Sequence, residues 1–435
     1  MYPWTTRPVR SRTGGGGVSS DDLPIGRRVA GWRVRRSMTQ QMLADRLRRS
    51  KSWVDKIERG VRPLDRYSVI QELSRVLRVD PEVLLGQPPS APASTPAGVD
   101  DIRAALARYD TPPTPPHMHE LRRQIGHAWL AYQHAHYPQL VRAVPSLLDA
   151  AQGARSPEVL VQAYRITALL LVKLGEADLA WLAADRAVGG AQDDPILAAT
   201  AAIAVAQALR ASGRDRLALS ATLTAANRTL PPALHVGDQE VCGTFGDQSR
   251  RKPLDHRGEG DQRGRGERRG DRRAWAVGGT LLVQAALAAA GCGEHRRAAE
   301  LIDRAAGVAV DLRGYDEPHG TSFGPVTVEM ARVLLAAQRG DADGALARLV
   351  SVVRREVWRR LPVEYRGAYL LDAARIYLHA DDLRGAARAL VDADSVAPGE
   401  VRGRPLARTL IADLARAKPA PAGVARLATL VGITR

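Results

Sequence analysis

The chain has 435 residues, more than one hydrophobic core ordinarily organises, so two domains or a repeat array are expected. Aromatics make up only 4%, which counts against a large β-sandwich or barrel, while 45% hydrophobic residues, mostly Ala, Leu and Val, favour buried helices. The formal net charge is +16, and its placement matters more than its size: residues 1–86 carry 18 basic and 9 acidic side chains, residues 250–273 carry 10 and 5, and the remainder is nearly neutral. That distribution suggests a polyanion-binding head on a neutral body.

Residues 1–23 read as a disordered tail. Their first twenty lack the apolar core of a secretory signal, and apolar runs such as Thr280 to Ala290 are shorter than the roughly 18 residues a bilayer span requires, so a cytoplasmic protein with no membrane partner is expected. From Ile25 to Gly86 the pattern divides into five short helices. Ile25, Val29 and Trp32 form the apolar stripe of the first, surrounded by arginines. Thr39 can cap a second helix carrying Met42, Leu43 and Leu47, and Ser50 a third carrying Val54 and Ile57 and ended by Gly60. Tyr67, Ile70, Leu73 and Leu77 mark a fourth; Asp80-Pro81 opens a fifth, Glu82 to Leu85. Helices two and three, a few residues apart with the small Ala44 between them and the core, form a helix-turn-helix.

The run "MTQQMLADRLRRSKSWVDKIERGVRPL" resembles the XRE family of lambdoid-repressor-like and Cro-like DNA-binding domains, over about residues 24–86. The resemblance implies that Gln40 fixes register, by phosphate contact or by bracing the recognition helix. It also implies that Lys51, Ser52 and Lys56 face base edges in the major groove. Ser50, Arg59 and Arg62 fall where the family meets the phosphate backbone, and Arg33 and Glu58 where it has a buried ion pair. Lys51 and Lys56 have a plainer alternative, neutralising phosphate; Trp53 is expected to pack between helices. The family's turn Gly is replaced by Arg48, followed by Arg49, so either the turn is strained or these arginines reach phosphate.

Residues 87–116 read as a Pro-rich linker holding one short helix. Over 117–417 helix, tight turn and helix recur, with a small residue five positions after a turn residue: Gly175/Ala180, Gly213/Ala218, Gly293/Ala298, Gly340/Ala345 and the weakest match, Asp381/Ala386. The alanine spacings are 38, 80, 47 and 41, and those near 40 suit helical-hairpin arrays. Stretches such as "LLVKLGEADLAWLAADRA" and "TLLVQAALAAAGCGEHRRAAELIDRA" resemble the tetratricopeptide-like C-terminal half of large actinobacterial XRE regulators. The expected fold is therefore all-α: a five-helix Cro/repressor-like domain followed by an α-solenoid of tetratricopeptide-like hairpins, with 418–435 a tail or capping helix.

The 80-residue spacing leaves about 40 residues beyond one ordinary repeat. They fall at 234–274, a Gly- and Arg-rich stretch that reads as a disordered insertion, a locally frameshifted coding segment, or an Arg/Gly nucleic-acid-binding arm. No GxxxxGK[ST], GxSxG or HExxH occurs, so no enzyme and no cofactor are expected. Cys242 and Cys292 read as reduced thiols, and the histidines between His117 and His136 as packing or surface residues rather than a metal site. Trp129, Trp181 and Trp358 are assigned to the core. In "GTSFGPVTVEMARV", Thr321, Phe323, Glu329 and Arg332 are candidates for an effector groove, against the plainer reading of Phe323 as a loop anchor.

Together these features imply a DNA-binding regulator, expected as a homodimer on inverted-repeat double-stranded DNA, whose body dimerises or senses a peptide or small molecule. The competing reading is an interaction scaffold in which the repeat groove captures a partner and DNA binding is secondary.

Overall fold

A computed structural model describes residues 24–77 save 37, 63, 65 and 66, then 79, 84, 98–108, 117–231 save 155, 262–312, 322–417 and 423–433. All regular structure among them is helical. The chain divides into two compact units, Met1–Ser94 and Thr95–Arg435.

The first unit holds α1 (Ile25–Arg35), α2 (Gln40–Arg46), α3 (Lys51–Glu58) and α4 (Tyr67–Leu77). Val29, Leu43, Ala44, Val54, Ile70, Leu73 and Leu77 form its core. Of the expected fifth helix only Leu84 is described; it is helical and fully buried, and its carbonyl accepts from Arg28 Nε at 2.7 Å. At Gly26 the first helix meets α3 with no room for a side chain, since a Cβ there would lie 2.0 Å from the Ile57 carbonyl oxygen.

The second unit opens with α5 (Val99–Leu106). This is the short helix expected within the linker, but Val99, Ile102, Ala105 and Leu106 are wholly buried in the body's first core cluster, so that core begins at Val99 rather than at 117. Six helical hairpins follow: α6 (Met118–Gln133) with α7 (Tyr137–Gly153), α8 (Pro157–Leu174) with α9 (Ala177–Gly190), α10 (Pro195–Ala211) with α11 (Asp215–Thr229), α12 (Gln262–Gly291) with α13 (His295–Asp311), α14 (Pro325–Gln338) with α15 (Ala342–Val353), and α17 (Val363–His379) with α18 (Leu383–Val396), the short α16 (Glu356–Arg360) preceding the last pair. Three further helices, α19 (Pro398–Arg402), α20 (Pro405–Ala415) and α21 (Val424–Leu430), complete the unit.

The turn-and-alanine rule holds at all five marked positions. Gly175, Gly213, Gly293 and Gly340 lie at φ between 71° and 86°, and Asp381 takes the same left-handed conformation at 60°. Five residues later Ala180, Ala218, Ala298, Ala345 and Ala386 are at most 2% exposed, where a larger side chain would force the paired helices apart. The first hairpin escaped the pattern because its left-handed residue is Ala135, at φ 55°, and its crossing residue is Leu140.

Across the 80-residue spacing α11 packs directly against α12. Gln262 to Arg273, the end of the stretch read as a disordered insertion, a frameshifted segment or an Arg/Gly arm, are helical and form the first part of α12. Arg, Gln and Glu are good helix formers, and the apolar half of α12 lets the helix extend backward through them, although each Gly costs about 1 kcal/mol. Residues 232–261, with Cys242, lie outside the described residues, as do residues 1–23; Cys292 is a half-buried free thiol. Arg272–Gly291 is long and apolar enough to cross a bilayer, contrary to the sequence expectation, yet 78% of that window is buried among neighbouring helices. Trp129 and Trp358 are buried as expected; Trp181 is 42% exposed.

Candidate nucleic-acid interface

In the first unit both expected caps form. Thr39 Oγ1 accepts from the Met42 amide and Ser50 Oγ from the Trp53 amide, each at 3.1 Å, fixing where α2 and α3 begin. Val54 and Ile57 anchor α3 from beneath, which turns Lys51, Ser52 and Lys56 outward, all exposed. Ser52 and Lys56, four residues apart, share one face of the helix. Lys51 stands at the helix N-terminus, where backbone N–H groups and the macrodipole already favour phosphate.

Below this face Glu58 is 5% exposed and holds two partners. Arg33 Nε and Nη2 donate to its two oxygens at 2.5 and 3.0 Å, and Gln40 Nε2 donates to Oε2 at 2.8 Å. The glutamate hydrogen bond holds the Arg33 guanidinium above its ordinary pKa. One carboxylate thus clamps α1, α2 and α3 together, and Arg33 also donates to the Met38 carbonyl at 2.8 Å. Gln40, at the start of α2, is thereby tied to α3.

The turn is strained. Arg48 has φ 53°, left-handed for a non-Gly residue, at a cost of about 1 kcal/mol. Its side chain and that of Arg49 are exposed, and the Arg49 guanidinium lies 5.5 Å from the Trp53 ring centroid, so Trp53 both packs and carries a cation. Arg59 Nη2 donates to Asp55 Oδ2 at 2.5 Å, and the Arg62 amide donates to the Lys56 carbonyl at 3.0 Å, which orders the loop after α3. Not all the head's basic charge faces outward for a ligand. Besides Arg28 and Arg33, Arg36 braces the fold, its Nε donating to the Leu77 carbonyl at 3.0 Å.

Residues 24–85 match the family model described as a helix-turn-helix domain. This unit is a helix-turn-helix domain. No curated protein matches the chain. Among solved structures, Bacillus thuringiensis PlcR in complex with the peptide PapR7 and DNA matches 76% of this chain and 99% of its own, at 10% identity and a TM-score of 0.35, too loose to carry residue roles across.

Of the effector candidates, Phe323, Glu329 and Arg332 lie among the described residues. Thr321 lies outside the described residues. The Phe323 ring rests on α12, where a Cβ at Gly279 would lie 2.2 Å from its Cζ, so it anchors the loop entering α14. Arg332 donates to Glu329 at 2.6 Å and to Asp303 at 2.7 Å, tying α14 to α13.

One buried cluster had no counterpart in the sequence reading. Lys173 on α8 contacts Glu364 on α17 and lies 2.9 Å from Glu400 on α19; Glu400, with no exposure, also accepts from Tyr137 on α7 and Arg404 beside α20. Burial pushes the Glu364 carboxyl above its ordinary range against the pull of Lys173. For Glu400 burial acts the same way, but Lys173, Arg404 and the Tyr137 hydroxyl outweigh it and its pKa is lowered. The cluster joins the first two hairpins to the last, across 191 residues for Lys173 to Glu364 and 263 for Tyr137 to Glu400.

Proposed function

We propose that this protein is an XRE-type sequence-specific transcription regulator that binds an inverted-repeat operator as a homodimer and whose hairpin body senses an effector. Lys51, Ser52 and Lys56 read base edges; Ser50, Arg59, Arg62 and the turn arginines Arg48 and Arg49 meet the phosphate backbone, and Gln40 fixes register by bracing α3. The observation that carries this reading is the clamped recognition helix: Glu58 locks α3 to α1 and α2 while its opposite face presents two lysines and a serine to solvent. A dimer would set two such helices about 34 Å apart, one turn of B-DNA. The lysines favour the acceptor pair of guanine, and the serine is permissive.

Selection of bound sequences from random duplex DNA by the full-length protein tests it. The expected result is a palindromic motif whose enrichment falls when Lys51 and Lys56 are both replaced by Ala. Enrichment that survives that change refutes the assignment of the readers, and no enriched motif at all favours the scaffold.

A further inference from the structure

At the turn end of the fourth and fifth hairpins a cavity of roughly 280 Å3 opens between α13, α14 and α15. Its apolar floor includes Ile302 and Leu335, 3% and 7% exposed. Its charged wall is His295 and Asp303 from α13, Arg332 from α14, Arg339 at the end of α14 and Arg348 from α15. Arg332 and Arg339, seven positions apart, lie on one face of α14 about 10.5 Å along its axis.

The charges on this wall are unevenly used. Asp303 is neutralised by Arg332, which also holds Glu329. Arg339 and Arg348 are exposed, and no ion pair joins either to another described residue. The Nδ1 atom of His295 is buried with no hydrogen-bond partner among the described residues, although a buried nitrogen without one costs about 1–3 kcal/mol. An apolar floor, two spare guanidiniums and an unsatisfied imidazole nitrogen together describe a receptor for an anion that carries an apolar body.

We propose that this cavity binds a small organic anion, its apolar body on Ile302 and Leu335 and its carboxylate, sulfonate or phosphate group turned to Arg339 and Arg348, with His295 Nδ1 as a further polar contact. The volume is at the lower end for ligand sites and suits a two-ring or branched-chain acid rather than a nucleotide or a peptide. This gives the proposed effector-sensing body a location and a ligand class, and rests on that reading for its consequence but not for binding itself.

Calorimetric titration of the full-length protein with sodium naphthalene-2-sulfonate tests the site. One-to-one binding is expected, weakened at least about tenfold in Arg339→Gln/Arg348→Gln, since each charge-assisted hydrogen bond contributes about a factor of ten or more. Two further ligands separate the contributions: neutral 2-naphthylmethanol should bind at least about tenfold more weakly, for loss of the charge, and inorganic phosphate likewise, for loss of the apolar body. Both arginines are on the surface, so the variant's urea midpoint should match that of the parent. Absence of binding, equal binding by the variant, or equal binding by either comparison ligand overturns the proposal. No DNA enters the titration, so its failure leaves the operator reading standing, and loss of the operator motif leaves the cavity standing.

Discussion

Replacing Lys173 with Met removes the cation that two buried carboxylates share. The Lys173 side chain is 8% exposed and those of Glu364 and Glu400 7% and 0%, and the formal charges of Lys173, Arg404, Glu364 and Glu400 sum to zero. Without Lys173 one buried carboxylate loses its counter-charge while Arg404 still serves the other. Breaking a buried pair from one side costs about 3–5 kcal/mol, most of it the penalty of the stranded charge, whereas removing both partners is close to neutral. Lys173→Met should therefore lower the urea-unfolding free energy of the body by about 3–5 kcal/mol, and Lys173→Met/Glu364→Gln should recover at least about half of that loss. Followed by circular dichroism, the double-mutant cycle should give a coupling of about 2 kcal/mol or more. A loss under about 1 kcal/mol in the single variant, or additive losses in the double, would refute the claim that this cluster latches the first hairpins to the last.

The same cluster sets a pH dependence. Glu400 has a lowered folded-state pKa, so its contribution is in place above the ordinary Glu value of about 4.3 and is lost as pH falls through the lower folded value. Glu364 is raised, so its contribution is complete below the ordinary value and lost as pH rises through the raised one. Glu400→Gln should flatten the acid limb of a stability-against-pH curve; an unchanged limb contradicts the assignment. In the head, Gly26→Val drives a side chain into the Ile57 carbonyl and should destabilise the unit by at least about 2 kcal/mol in urea titration and abolish DNA binding; retention of both would show that α1 and α3 do not pack this closely. Arg48→Gly relieves a left-handed residue worth about 1 kcal/mol and should raise the thermal midpoint while weakening DNA binding, which separates backbone strain from phosphate contact. Weakened stability, or undiminished affinity, would count against that dual role.

The head could be read from its sequence because its determinants are local. Two caps, one small residue at a crossing and two apolar anchors lie within about twenty positions, and spacing alone sets which side of α3 faces out. The hairpins were legible where a Gly, or in one case Asp381, marked the left-handed turn, and the first was missed because Ala135 fills that role. Helix in Gln262 to Arg273 was hidden because its composition reads as disorder, while its support comes from the apolar half of the same helix. The latch was invisible for another reason: Lys173, Glu364 and Glu400 look like ordinary surface charges in sequence, and only the meeting of distant hairpins buries them. The cavity likewise gathers His295, Asp303, Arg332, Arg339 and Arg348 from three helices, and of these the sequence had singled out Arg332 alone.

Affinity of the full-length protein for its selected operator and for random duplex DNA, measured side by side across a salt series, tests the central claim most directly. The wild-type protein should prefer the operator by about 10³-fold or more, a preference that collapses toward unity in Lys51→Ala/Lys56→Ala, whose salt slope should be shallower than the wild-type's by about one to two. Equal affinity for both duplexes in the wild-type protein would contradict it.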